Sequence, residues 1–210
     1  MFINKIGMEH LESGMNCQDY GFQGDRVAVV CDGCSEGKHS EVGAKMFCFL
    51  TQEGAVISAA FDRIVNFFGY NPITLRNYAS FTTLKLLNGS GSWIIEYCGD
   101  GYIILQDYEG NITFEELSDG EYPKYYIYNY IPPEYLKHYK GGVSFSQKIF
   151  PKEQYAKVGI ASDGLRYILN ADEELRKEFI DCLKSGKELK TKLFINRNHG
   201  IFKDDVTIVF

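Results

Sequence analysis

Clustered positive charge is what this sequence most clearly lacks. Against 28 aspartates and glutamates stand 22 lysines and arginines in 210 residues, a formal net charge of −6. With a pI near 5.3, the composition argues against a nucleic-acid or anionic-membrane binder, because a phosphate backbone demands clustered cations. No apolar run reaches the roughly 18 residues that span a bilayer. The opening MFINKIGMEHLESGM lacks the long apolar stretch of a signal peptide, so a cytoplasmic location is expected. Cys31 and Cys34 form a C-x-x-C, but the chain has neither a second C-x-x-C nor a suitably spaced histidine pair, and only His39 lies nearby. A structural zinc site needs one or the other, which disfavours zinc. Internal repeats and low-complexity segments are also absent.

What is present suits one domain spanning residues 1–210, since 45% of the residues are hydrophobic and the length is enough to bury a core. Four of the six cysteines sit in apolar contexts (VVCDG, MFCFL, EYCGD, FIDCL), which suggests buried free thiols rather than a disulfide framework. VAVVC after Arg26 reads as a strand covered on both faces. Helix spacing runs from about Ser40 to Phe68, divided at Gly54 and ended by Gly69 with Pro72. SFTTLKLL, SWIIEYC, YIILQDY and ITFEEL follow at short intervals and read as an antiparallel meander. Then come VSFSQKIF, KVGIAS, one or two helices between Ala171 and Phe194, and a last strand DVTIVF. This order suggests an α+β fold with sheets and helices in separate layers. The segment 118–142 fits neither period. It holds Tyr122, Tyr125, Tyr126, Tyr128, Tyr130, Tyr135 and Tyr139 with three prolines, and reads either as a surface excursion packed by its own aromatics or as a substrate-facing flap.

Four acidic residues stand where a strand meets a turn: Asp32 after VAVVC, Asp100 in CGDG, Asp163 after VGIAS, and Asp204 before DVTIVF. A fifth, Asp19, lies in NCQDY. Each alone has an ordinary explanation, because Asp-Gly is a common turn dipeptide and Asp100-Gly101 is a good hairpin turn. Together they are harder to dismiss. Asp32 and Asp163 close apolar strands, where a carboxylate is costly without a cation or hydrogen-bond donors. If those strands are neighbours, two anions meet and must be neutralised. An all-oxygen ligand set without histidine favours Mg²⁺ or Mn²⁺. Two such ions about 3.5–4 Å apart can share a hydroxide and polarise a phosphoryl oxygen, which implies phosphate-ester hydrolysis.

In their order along the chain, NCQD at 16–19, VVCDGCSEGKHSEVGAK at 29–45, FTTL at 81–84, CGDG at 98–101, IASDGL at 160–165 and DDVT at 204–207 resemble the metal-dependent protein phosphatases of type 2C, and a compact bacterial branch in particular. The resemblance implies a four-layer α-β-β-α sandwich of two antiparallel sheets. It also implies phosphoserine and phosphothreonine hydrolysis in a phosphorylated protein with two Mn²⁺ or Mg²⁺ ions, and a Ser/Thr kinase as the opposing partner. Carried over, Asp32 would bridge the ions and the Gly33 carbonyl would ligate one. Asp163 and Asp204 would complete the other shell, Asp19 would hold ion-bound water, and Asp100 would serve a third ion. Asp205 stands where asparagine is common and is read as support; Thr82, Thr83 and Thr207 are read as structural. The sequence departs from the pattern at Gly14, where many relatives carry a phosphate-gripping arginine. His10, Lys38 and His39 are the candidate substitutes. Cys34 stands where a histidine general acid occurs in eukaryotic relatives, which leaves leaving-group protonation to water. A catalytically inactive relative that binds a kinase or a phosphoprotein is the alternative function.

Overall fold

Alternation along VAVVCDG sends Ala28 and Val30 to one side and Val29 and Cys31 to the other, and both sides find apolar partners. That double burial is the germ of a layered fold. The computed structural model describes residues 1–118, 123–136 and 142–210. Its strands are β1 (Phe2–Lys5), β2 (Tyr20–Gln23), β3 (Val27–Gly33), β4 (Phe81–Asn88), β5 (Ser92–Cys98), β6 (Gly101–Asp107), β7 (Ile112–Leu117), β8 (Ser146–Pro151), β9 (Tyr155–Ala161) and β10 (Val206–Val209). The helices are α1 (Met8–Ser13), α2 (Ser40–Gln52), α3 (Ile57–Phe68), α4 (Pro72–Ala79), α5 (Arg166–Leu169), α6 (Glu173–Lys184) and α7 (Glu188–Arg197).

Two five-stranded antiparallel sheets result, ordered β1-β10-β9-β6-β7 and β2-β3-β4-β5-β8. Ala28, Val30, Leu84, Ile103, Ile160 and Val209 pack between them. On the outer face of the second sheet, Val29, Cys31 and Phe81 meet Phe47 and Phe61 of α2 and α3. On the outer face of the first, Ile104 and Ile208 meet Phe179 and Phe194 of α6 and α7. The four-layer α-β-β-α sandwich is therefore present. Each strand face that periodicity marks as apolar is covered by a sheet or a helix layer.

The expected division of residues 40–68 into two helices is observed, with Gly54 at φ 90° between them and Gly69 at φ 75° closing the second. Helix α4 has no counterpart in the periodicity, because its eight residues begin at a proline that reads as a stop. Asn71 caps it by accepting from the Ile73 and Thr74 amides. The expected meander is corrected. β4 pairs with β5 and β6 with β7, but β5 and β6 lie in different sheets. CGDG is thus not a hairpin turn; it carries the chain from one sheet to the other. Gly99 (φ 98°) and Gly101 (φ 141°) supply the left-handed backbone this corner needs. Among the described residues, no helix is long and apolar enough to cross a membrane.

Candidate metal centre and substrate cleft

Strands β3 and β9 are not hydrogen-bonded neighbours, contrary to the simplest arrangement that would bring Asp32 and Asp163 together. They belong to opposite sheets, and Val30 and Ile160 pack in the layer between. The two carboxylates meet because both strands end at the same edge of the sandwich. A cleft of about 510 Å³ opens there, lined by Asp32, Gly33, Asp100, Asp163 and Asp204. Asp100 arrives on the sheet-switching corner. Asp163 begins a 3₁₀ turn, Asp163–Leu165, that leads into α5. Asp204 lies two residues before β10.

Asp19 is buried behind these residues. Neither of its carboxylate oxygens meets a donor at hydrogen-bonding geometry, and the nearby Ser162 hydroxyl and Asp32 carboxyl give only partial relief. Burial, followed by the charge of Asp205, pushes Asp19 well above the usual carboxylate range. Asp32 is raised likewise, first by burial and then by Asp19, Asp163, Asp100 and Asp204. Burial raises Asp163 too, although Arg166 opposes the shift. The Arg166 guanidinium lies 2.8 Å from Asp163 Oδ2 and 4.0 Å from Asp204 Oδ2. Among the described residues, Arg166 is the cation paired with Asp163 and Asp204.

Asp205 serves the framework. Its Oδ1 accepts from the Gly7 amide at 2.7 Å and its Oδ2 from the Gln18 amide at 2.6 Å. His10 Nδ1 lies 2.9 Å from Oδ2, at ion-pair distance but off the hydrogen-bonding direction. Asp205 thereby ties α1 and the Asp19 segment to the start of β10. Thr207 and Ser162 add a second tie: their backbones pair, and the Ser162 hydroxyl accepts from the Thr207 amide at 2.9 Å. Among the described residues, the histidine, cysteine and acidic atoms drawn mutually within 4.8 Å are those of His10, Asp204 and Asp205. Two of these three are committed to the tie. The Asp32 carboxyl lies against those of Asp163 and Asp19.

The three proposed phosphate substitutes are all outside the lining of the cleft. His10 is buried against Asp205. Lys38 is exposed, and His39 Nδ1 lies 3.7 Å from Glu41. Gly14 ends α1 at φ 70°, exposed and with open space around it. Sequence reading missed the cations that line the cleft among the described residues, Arg76 and Arg166. For Arg166 the signal was available, since it follows Asp163 by three residues on a helical turn. Cys31 packs in the helix-side core with its Sγ 3.8 Å from that of Cys48, whereas Cys34 lines the cleft, so the C-x-x-C does not converge. All six cysteines are free thiols.

In the Tyr-rich segment, the structure describes residues 123–136. Tyr126 packs on Phe61 and Phe145, and the Tyr130 hydroxyl donates to Asp62 at 2.8 Å. Tyr125, Tyr128 and Tyr135 line the cleft, the first two while also packing in the helix-side core. Tyr122 and Tyr139 lie outside the described residues.

Divalent cations fit this site. The donors are hard oxygens, both Asp19 carboxylate oxygens lack a hydrogen-bond donor among the described residues, and the acidic side chains raise one another's proton affinity. One consequence is testable in the melting behaviour. Asp19, Asp32 and Asp163 bind protons more tightly in the folded chain than in the unfolded one. Their stabilising contribution is complete below the ordinary carboxylate value of 3.8 and is lost as pH rises through the raised folded values. Bound Mn²⁺ would replace the lost protons as counter-charge. The gap in Tm between Mn²⁺-loaded and chelator-treated protein should therefore widen from about pH 4 to pH 7, as read by scanning calorimetry. A gap that narrows over that range would contradict the carboxylate assignment.

No family model matches the sequence, and no curated protein matches it. Solved structures do match. The serine/threonine phosphatase Stp1 from Staphylococcus aureus superposes with a TM-score of 0.64 at 16% identity, over 99% of this chain and 92% of that one. The Mycobacterium tuberculosis serine/threonine phosphatase PstP/Ppp gives 0.65 at 15% identity, over 99% and 95%. The catalytic domain of PstP in complex with two manganese ions gives 0.63 at 16% identity, over 99% and 94%. The chain has the fold of these bacterial phosphatases, the type 2C architecture.

Proposed function

We propose that this protein is a Mn²⁺- or Mg²⁺-dependent phosphatase acting on phosphoserine and phosphothreonine in proteins, opposing a Ser/Thr kinase. The observation that carries the reading is the meeting of Asp32, Asp100, Asp163 and Asp204 on one cleft with Asp19 buried behind it. Asp32, the Gly33 carbonyl, Asp163 and Asp204 would hold two ions. Asp19 would act from behind through water, and Asp100 would serve a third. When bound, such ions supply Lewis acidity at a phosphoryl oxygen and ease deprotonation of water. The chain supplies the rest. The sandwich edge fixes the carboxylates on strand ends and short turns rather than on long loops. Tyr125, Tyr128 and Tyr135 restrict water on one side of the cleft. Hydrolysis forms one P–O bond from water, breaks the ester P–O bond, and leaves a proton on the serine or threonine oxygen.

The test is release of inorganic phosphate from phosphoserine and phosphothreonine peptides by the full chain. Turnover should require added Mn²⁺ or Mg²⁺, stop with a chelator and return with excess metal. Calorimetric Mn²⁺ binding without phosphate release from any peptide or aryl phosphate would make the protein a binding module instead.

A further inference from the structure

A phosphomonoester is a dianion, and the cleft it must enter is walled by carboxylates. Productive binding therefore needs a cation that meets the phosphate oxygens in fixed geometry, which an arginine fork does best. Two arginines line the cleft, Arg76 and Arg166. They are mounted differently. Arg76 projects from α4 toward the exposed Glu36, with its Nη2 3.3 Å from that carboxylate, and it also borders a smaller neighbouring hollow with Ile73 and Tyr135. Its ion pair is with Glu36, whereas that of Arg166 is with Asp163. Arg166 opens α5 directly after the turn that carries Asp163. Leu165 and Ile168, both fully buried, fix the backbone beneath it. Its own side chain is 43% exposed and reaches Asp163 and Asp204. A rigid base with a solvent-facing fork, set among the acidic residues, is what orienting a phosphate requires.

We infer that Arg166 binds the substrate phosphate, a deepening that rests on the phosphatase reading. The guanidinium is held by Asp163 and lies 5.4 Å from the Tyr167 ring centroid. Cations held by Asp163 and Asp204 would compete with Arg166 for these carboxylates. The fork is then available to an anion on the cleft side, within one side-chain length of the carboxylates. The cation-π contact with Tyr167 keeps it from being lost to solvent. The phosphate grip thus comes from the Asp-Gly-Leu-Arg turn, and the first helix with Gly14 is not needed for it.

The experiment uses the full chain with Mn²⁺, a phosphoserine peptide for turnover, and inorganic phosphate as a binding probe followed by calorimetry. Arg166→Ala should raise KM about 10- to 100-fold, the loss expected for a charge-assisted pair, with a much smaller change in kcat. Phosphate affinity should fall by a similar factor. Arg166→Lys restores charge but not the fork and should stay about tenfold weaker than wild type. Mn²⁺ affinity should not weaken in either variant, because a competing cation has been removed or kept. Several results would overturn the inference. One is unchanged KM and phosphate affinity in Arg166→Ala. Another is loss of Mn²⁺ binding in step with activity, which would make Arg166 an organiser of Asp163. A third is the whole effect appearing in Arg76→Ala. A wild-type protein that binds no phosphate also rejects it. Arg166-dependent phosphate binding without turnover would instead reject the phosphatase reading and leave the anion site standing.

Discussion

Asp32→Asn should lower Mn²⁺-dependent phosphate release by about a thousandfold or more, and the same substitution should raise the Tm of the chelator-treated protein. The two effects have one cause. Asp32 closes a strand whose preceding residues are buried on both faces, and the nearby carboxyls of Asp19, Asp163, Asp100 and Asp204 raise its proton affinity. Without a cation that arrangement is unfavourable, and an isosteric neutral amide relieves it at no cost in volume. With cations bound as proposed, the same negative charge would help to hold them. Removing it forfeits several kcal/mol of transition-state charge stabilisation, about three decades in rate. A structural aspartate would behave differently: mutation would lower Tm, and any activity would survive. Opposite signs for stability and function in one variant are therefore the signature, read by calorimetry on the chelated protein and by phosphate release on the loaded one.

Much of this was visible in the residues. Carboxylates at strand ends, each in an otherwise apolar context, announced sites with a reason to be charged. VAVVCDG assigned Asp32 and Cys31 to opposite faces before any coordinates, and Cys31 does pack away from the cleft against Cys48. What sequence could not supply was the third dimension of the sandwich. Local periodicity reports hairpin pairing, so CGDG looked like one more tight turn, whereas the chain changes sheet there. Nor does any pattern say that Asp32 and Asp163 meet across two sheets instead of along one. Strands of four residues such as β1 and β2 are too short to show alternation; their pairing with β10 and β3 holds them. Arg166 follows Asp163 by three residues, a spacing legible in the sequence, and the packed turn shows that it reaches the same carboxylates.

Gly164→Ala should destabilise the protein by about 3 kcal/mol or more, lowering Tm by about 6 °C or more for a chain of this size, and should weaken Mn²⁺ binding with it. In the sequence, the glycine of SDGL reads as a turn residue chosen for its backbone freedom. The geometry gives another reason. A Cβ at Gly164 would sit 1.9 Å from the backbone carbonyl oxygen of Asp205 and 2.9 Å from its carbonyl carbon. Backbone atoms cannot swing aside as a flexible side chain can. Asp205 is itself fixed, with its carboxylate accepting the Gly7 and Gln18 amides and β10 clamped between β1 and β9 immediately after it. Relief would have to come from displacing the start of β10, which carries Asp204, or the 3₁₀ turn, which carries Asp163. Either movement separates two of the acidic residues proposed to share cations, so stability and metal affinity should fall together. Gly91→Ala is the matched control: it too lacks a left-handed φ, but nothing lies within 4 Å of its added methyl group. It should shift stability by no more than about 0.5 kcal/mol. If Gly164→Ala melts with the control and binds Mn²⁺ like wild type, the close crossing of turn and strand does not set the cleft. If it melts early but still binds Mn²⁺ like wild type, the crossing supports the fold while the carboxylates are positioned independently of it. Loss of both ties the proposed metal centre to a contact between two backbones, one that only glycine can make.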